Sequence, residues 1–215
     1  MTRKPGDGER REPGGAKSAR TRQRLLDAAA AVLSQRGFSG TRLSDIAERA
    51  QLQTPAIYYY YASREELIEE VMYAGAAAMR AHLEAALGAL GPEAGPQERL
   101  AVAVEAHLRN ELQLSDYSHA IIRNANQLPE PVGRRALAEI AAYNDIWRKL
   151  VDDLAGAGRL RADIQPSVAR MLVLGAISWA TEWWRPHQGP IEPLISTARS
   201  MVLHALVNEP TKGSP

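Results

Sequence analysis

The sequence predicts an all-α protein, with a small N-terminal three-helix head on a larger helical body. Three observations predict it. Apolar residues recur at three- and four-residue steps in one segment after another, and no run alternates as a half-buried strand would. Hydrophobic residues make up 45% of the chain but aromatics only 6%, so alanine and aliphatic side chains must carry the core. Stretches rich in Gly or Pro at 88–96, 129–131 and 156–158 punctuate the helical segments. At 215 residues the chain can bury a substantial core, in one domain or in two small ones.

Residues 1–19 (MTRKPGDGERREPGGAKSA) are Gly- and Pro-rich, charged and almost free of apolar side chains. They are expected to be a disordered basic arm. Such an arm can reach DNA phosphates or the minor groove, and a plain flexible terminus is the alternative. The first helix follows, with Leu25, Leu26, Ala29, Val32 and Leu33 as its stripe and Gly37 as its stop. Phe38, the only Phe, is expected in the core of the head. Two short helical patterns and a tight turn occupy 41–61. Thr41 precedes the first as an N-cap, and Leu43, Ile46, Ala47 and Ala50 form its apolar face. Leu52 supplies one apolar plug, and Pro55 restarts a helix where its missing N–H loses nothing. Ile57 and Tyr61 then point inward, while Gln53, Thr54, Tyr58 and Tyr59 face out. Two short helices, the second exposing a polar and aromatic face, make a helix-turn-helix.

Ser63 caps a long helix reaching about Leu87, with Glu65 and Glu66 in its first turn and a capping box at Ser63–Glu66. Further helices are expected over 97–114, 115–128, 132–154, 166–184 and 190–207. The 166–184 segment is apolar nearly all round, through Val168, Met171, Leu172, Leu174, Ile177 and Trp179, which predicts burial on more than one side. Small residues at Gly175, Ala176, Ser178 and Ala180 admit a closely packed helix. With 132–154 it is expected to form a homodimer surface.

Composition narrows the function. No cysteine is present, which excludes disulfides and thiolate metal sites. The longest apolar run, 171–180, falls far short of the ~20 residues of a membrane helix. No N-terminal apolar stretch marks a secretory leader, so a soluble cytoplasmic protein without a membrane partner is expected. The net charge of +1 is unevenly spread, with +4 on residues 1–66 and −3 on the remainder. That asymmetry suits a DNA-reading head on a separate body. His82, His107, His119, His187 and His204 lack metal-ligand spacing and read as ordinary surface or core residues. No GxSxG, phosphate loop or paired-carboxylate motif occurs, which argues against an enzyme and gives no cofactor.

Four pieces, TRQRLLDAA, RGF, TRLSDIAERA and AIYYYYASREEL, occur in order between residues 20 and 71. Together they resemble the N-terminal domain of TetR-type transcriptional regulators. The resemblance implies a DNA-binding head over 20–66, an effector-binding and dimerisation body over 67–208, and a disordered tail at 209–215. It implies a homodimeric repressor on a palindromic double-stranded DNA operator, released by a small hydrophobic effector. The DNA-facing residues are then Thr41, Arg42, Gln53, Thr54, Pro55, Tyr58, Tyr59 and Arg64. Hydroxyls and Arg are ordinary phosphate partners, and Gln53 is suited to adenine. By resemblance, Tyr58 and Tyr59 match the family's exposed aromatic/His pair, Arg64 its phosphate-contacting Lys, and Tyr61 a buried Phe. Gln53 stands where the family usually has a capping Ser or Thr, and Thr54 before Pro55 offers a cap shifted by one.

The segment WATEWWRPHQGPIEPL is similar to the WYRP-x-GP-L ending of TetR-type repressors of steroid and fatty-acid catabolism, which respond to acyl-CoA thioesters. Trp147 also falls where that subgroup has a Trp, while Glu182 replaces an Arg. An acyl-CoA is therefore the candidate effector, with Arg123, Asn126, Tyr143, Trp147, Trp179 and Trp183 as candidate pocket residues. A tryptophan stripe is more often core than ligand box. The alternative from another class is a helical small-molecule-binding or catalytic protein with a vestigial DNA-binding head.

Overall fold

The computed structural model describes residues 13–113, 116–124 and 129–208. Among them the chain is helical throughout, save for loops, one 3-10 turn at Pro186–Gln188 and a single antiparallel bridge between Leu160 and Val207. The helices are α1 (Pro13–Gly40), α2 (Leu43–Arg49), α3 (Thr54–Ile57), α4 (Arg64–Gly88), α5 (Pro96–Gln113), α6 (Asp116–Asn124), α7 (Glu130–Gly156), α8 (Pro166–Ser178), α9 (Ala180–Trp183) and α10 (Glu192–Leu206). No helix among the described residues is long and apolar enough to cross a membrane. Of the expected arm and tail, 1–12 and 209–215 lie outside the described residues.

Residues 13–19, expected in the arm, instead continue α1 into solvent. Once the buried stripe around Leu25 and Leu33 has formed the helix, adding turns at its end needs no new nucleation. At the other end α1 bends at Gly37, whose φ of 71° suits glycine. Ser63 caps α4 as expected: its Oγ accepts from the Glu66 N–H at 3.0 Å. The Glu66 carboxylate reaches back one residue further, to the Ala62 N–H.

Two other caps differ from expectation. Arg42 is the N-cap of α2, and the Thr41 hydroxyl instead donates to the Gly37 carbonyl at 2.7 Å, one helical turn back. Gln53 is the N-cap of α3 with no side-chain cap, so Thr54 occupies the first helical position. The turn between α2 and α3 is closed by backbone. Leu52 N–H donates to Ala47 C=O at 2.8 Å, and Gln51 N–H to Glu48 C=O at 3.0 Å, with Gln51 at φ 54°. This pair of bonds across a left-handed residue is the Schellman arrangement. It carries Leu52 back onto the head's core.

Two cores result. The first joins α1, α2, α3, Tyr61 and the start of α4 with Ala120 and Ile121 of α6 and Ala136 of α7. A boundary at 66 and 67 thus runs through a shared core. Gly75 explains how closely α6 sits on α4, because a Cβ there would lie 2.7 Å from Ile121 Cδ1 and 3.0 Å from the Tyr117 carbonyl oxygen. Polar bonds run along the same contact. Tyr117 donates to Asp27 at 2.9 Å, and Glu70 pairs with Arg22 at 3.0 Å and Arg135 at 2.9 Å. Burial opposes ionisation of Glu70, yet hydrogen bonds from these two arginines hold its carboxyl below the usual range.

The second core lies among α5, α7, α8, α9, α10 and the far end of α4. The apolar stripe of 132–154 is covered within the protomer. Tyr143, Trp147, Leu150, Val151 and Leu154 of α7 are buried within the protomer, because α7 packs against α4, α5 and α8. The 166–184 segment is two helices broken at Trp179, and one side only is covered. Ala169, Val173 and Ile177 face inward, while Val168, Met171, Leu172 and Trp179 are exposed.

Candidate functional site

On the head, the helix-turn-helix presents one outward face. Arg42, Gln53, Pro55, Tyr58 and Tyr59 are exposed, with Tyr59 at 81% and Tyr58 at 57%, and Thr54 is half-buried. Ile57 and Tyr61 pack beneath them as expected, although α3 is a single turn. The chain stays coiled beyond it, through Tyr60 and Tyr61 N–H groups donating to the Ile57 carbonyl at 2.9 and 3.0 Å. Tyr59 meets Tyr60 edge to face at 5.1 Å between centroids. Burial pushes the Tyr61 phenol up to about 12 against the opposing charge of Arg22. Large exposed aromatics beside Gln and Arg form a surface able to bond phosphates and base edges.

Two expected DNA contacts belong instead to the scaffold behind that face. Thr41 is buried, and its own carbonyl accepts from Arg64 Nε at 2.7 Å. Arg64 also donates to the Phe38 carbonyl and lies over the Phe38 ring at 4.5 Å. Its guanidinium therefore fastens α4 to the α1–α2 link, and its remaining edge pairs with Glu65 at 2.9 Å. Asn124 of α6, fully buried, completes this fastening. Its Oδ1 accepts from the Phe38 N–H at 2.7 Å, and its Nδ2 donates to the Ala120 carbonyl at 2.7 Å.

The body holds a second constellation. His107, Asn110 and Glu111 lie at i, i+3 and i+4 of α5, hence on one face, and all three are buried. His107 Nδ1 meets the Tyr143 hydroxyl at 2.7 Å; its Nε2 meets Ser178 Oγ at 3.0 Å and Glu111 Oε2 at 3.1 Å. Ser178 Oγ donates to Glu111 Oε1 at 3.1 Å, which leaves its oxygen to accept from an Nε2–H of His107. Trp147 stands edge-on to the imidazole at 5.8 Å. Burial pushes the Tyr143 phenol upward. A Ser–His–acid relay needs the serine and the acid on opposite ring nitrogens. Both meet Nε2 here, so the arrangement is not that of a hydrolytic triad.

The cluster is incompletely paired. Asn110 is 2% exposed, yet neither its Oδ1 nor its Nδ2 has a partner, and the Trp147 Nε1–H has none either. Each such buried group costs about 1–3 kcal/mol.

Of the expected pocket residues, Tyr143 and Trp147 come together in this cluster. Trp179 and Trp183 do not join them: they are 64% and 54% exposed, Trp179 continuing the outward face of Met171, Leu172 and Gly175. Asn126 and the side chain of Arg123 lie outside the described residues. His107, Asn110 and Glu111 were missed as a group. Their signal was present, since the apolar stripe Leu100, Ala103, Val104 runs on at helical spacing into polar residues. Among the described residues no cluster of three or more His, Asp or Glu could hold a metal ion.

Outside these sites, Val168, Met171, Leu172, Trp179 and Trp183 join Met201 of α10 in an exposed apolar face. A groove of about 640 Å³ runs beneath it, lined by Ala176, Trp183, Leu194, Ala198 and Met201 among others.

Residues 25–71 match the family described as bacterial regulatory proteins, tetR family, and residues 93–205 match the tetracyclin repressor-like C-terminal domain. The chain is 24% identical over 170 residues to the HTH-type transcriptional repressor KstR2 of Rhodococcus jostii (strain RHA1), spanning 77% of this chain and 80% of that one. In fold it is similar to the ketosteroid transcriptional regulator KstR2 of Mycobacterium tuberculosis. The TM-score is 0.75 at 22% identity, covering 87% of this chain and 95% of that one. It is also similar to AibR, solved with isovaleryl coenzyme A and operator DNA, with a TM-score of 0.74 at 21% identity over 85% and 96% of the chains.

Proposed function

The chain belongs to the tetR family of bacterial regulatory proteins and is a transcriptional repressor of that family, and we propose that it acts as a homodimer released from a palindromic operator by a small apolar effector. The observation that carries this reading is the exposed Gln53–Tyr58–Tyr59 face on a helix-turn-helix, fastened from behind by Arg64, Phe38 and Asn124. Arg42, Gln53, Thr54, Pro55, Tyr58 and Tyr59 meet DNA. Thr41 and Arg64 hold the platform.

The dimer forms through α8 and α10, whose exposed apolar face is larger than scattered surface residues require. A twofold pair of heads then meets two half-sites. The effector enters the body near Tyr143 and Trp147. An acyl-CoA thioester remains its candidate class, supported by the WATEWWRPHQGPIEPL ending and by the isovaleryl coenzyme A bound to AibR. Release requires the effector to prefer the DNA-incompetent conformation, since equal affinity for both shifts nothing. The lever is α4, which belongs to both cores and is tied to α7 by Arg80 and Glu139 at 2.6 Å, one turn before Tyr143.

The test is an operator shift. The protein is expected to retard a palindrome from its own upstream region and no unrelated duplex. Tyr58→Phe removes one hydroxyl and should weaken binding a few-fold to about tenfold across all operator variants. Gly175→Leu adds bulk where nothing in the protomer lies within 4 Å, so the fold should persist while the dimer and operator affinity are lost together. A dimeric Gly175→Leu protein with full operator affinity places the interface elsewhere.

A further inference from the structure

Resting on the reading of the body as the sensor, the geometry points to Asn110 as the residue that selects the effector. We propose that it binds an apolar molecule carrying an uncharged carbonyl or hydroxyl oxygen on the part that enters the body. Four observations converge on this ligand.

Asn110 is buried in the second core, yet its amide has a free acceptor and free donors. Those are the two capacities that a ketone or an alcohol can meet: Nδ2 donates to either oxygen, and Oδ1 accepts from a hydroxyl. On the same helix face, His107 contacts the Tyr143 and Ser178 hydroxyls, and Ser178 donates to Glu111 Oε1. The Tyr143 hydroxyl, 2.7 Å from His107 Nδ1, adds a second uncharged polar group to the same cluster.

Asn110 is itself uncharged, so its amide offers no counter-ion to an ionised group. A carboxylate brought here would be desolvated with only that amide to receive it. Leu100, Val104, Trp147 and Ile177 of the same core are apolar and leave the oxygen as the one polar handle. A saturated hydrocarbon segment fills such a site and leaves Asn110 as it was.

The experiment compares 2-decalone and 2-decalol with decalin on the full-length protein, read by tryptophan fluorescence and by the thermal midpoint. The ketone and the alcohol are expected to bind about tenfold more tightly than the hydrocarbon. In Asn110→Leu, which keeps the size and removes the amide, the three should bind alike while the ligand-free midpoint rises. A second measurement needs no variant: in protein labelled with nitrogen-15, the Asn110 side-chain NH2 pair should shift with 2-decalone and stay in place with decalin. Equal binding of all three probes, binding of none, or a preference that survives Asn110→Leu overturns the proposal. Operator shifts on the same samples separate the two readings. Oxygen selectivity without operator binding leaves the Asn110 assignment standing and sinks the repressor reading, whereas operator binding without selectivity sinks Asn110 alone.

Discussion

Two asparagines, each closed off from solvent in one of the two cores, have opposite surroundings. Asn124 takes the Phe38 N–H on its oxygen and gives its nitrogen to the Ala120 carbonyl, with the Leu33 carbonyl a further acceptor at 3.5 Å. Asn110 has no partner on either atom. Native proteins leave very few buried polar groups unpaired, and those few call for an explanation. In the junction core the Asn124 amide is matched and ties the head to α6, while the buried Tyr61 hydroxyl of that core has no partner. The body core keeps an unmet amide, which is a fault for stability and an opportunity for a ligand. Rigid reader and receptive sensor are the two halves a ligand-released repressor needs.

The comparison breaks if both asparagines respond alike to the same substitution. Asn124→Leu strands the Phe38 N–H in the junction and is expected to destabilise by about 2–3 kcal/mol. Asn110→Leu in the ligand-free protein should stabilise by about 1–2 kcal/mol, because it removes an unsatisfied group and strands nothing. Urea midpoints at unchanged m-value measure both. Destabilisation at both positions would mean that Asn110 is paired in solution, and the contrast would be gone.

A smaller effect sharpens the account of the junction. Gly75→Ala places a methyl 3.0 Å from the Tyr117 carbonyl oxygen, a backbone atom that cannot swing aside. Overpacking of this kind typically costs ~1–3 kcal/mol, and the helix propensity of Ala returns up to ~1 of it. A net loss of about 1–2 kcal/mol in thermal unfolding is expected. The same change at Gly88, where a methyl meets nothing within 4 Å, should be neutral or stabilising. Equal outcomes at the two glycines would show that α6 does not sit tightly on α4.

Much of this contrast could be read from the chain, and the unread part has physical causes. The helix stripes, the Ser63 cap and the inward Ile57 and Tyr61 follow from local spacing, which a single segment records. The roles of Thr41 and Arg64 were not local. A hydroxyl before a helix can cap forward or bond backward, and the Gly37 bend decides for backward. An Arg at the start of α4 faces DNA or the scaffold depending on where the Phe38 ring lies, a long-range fact. For the tryptophans, four-residue spacing marks a shared face without saying whether that face is inside. Trp179 and Trp183 share the outside, on the face that Met171 and Leu172 already expose. His107, Asn110 and Glu111 had a visible signature, three polar residues continuing an apolar stripe, which metal and catalytic spacings do not capture.

The finest test lies in the head, at the turn that aims the reading face. Gln51 is the only described non-glycine residue with positive φ, at 54°, and its backbone closes the α2–α3 turn through bonds to Glu48 and from Leu52 to Ala47. A side chain with a Cβ is disfavoured there, and glycine is the residue that adopts this conformation without penalty. Gln51→Gly also loosens the unfolded chain, which takes back part of the gain. The net expectation is stabilisation by about 0.5–1 kcal/mol, with the turn geometry and therefore operator affinity unchanged. Its signature is a small rise in urea midpoint together with an unaltered operator titration. A fall in midpoint would mean that the left-handed turn is not the conformation in solution. The direction in which Tyr58 and Tyr59 face, which depends on that turn, would then have to be redrawn.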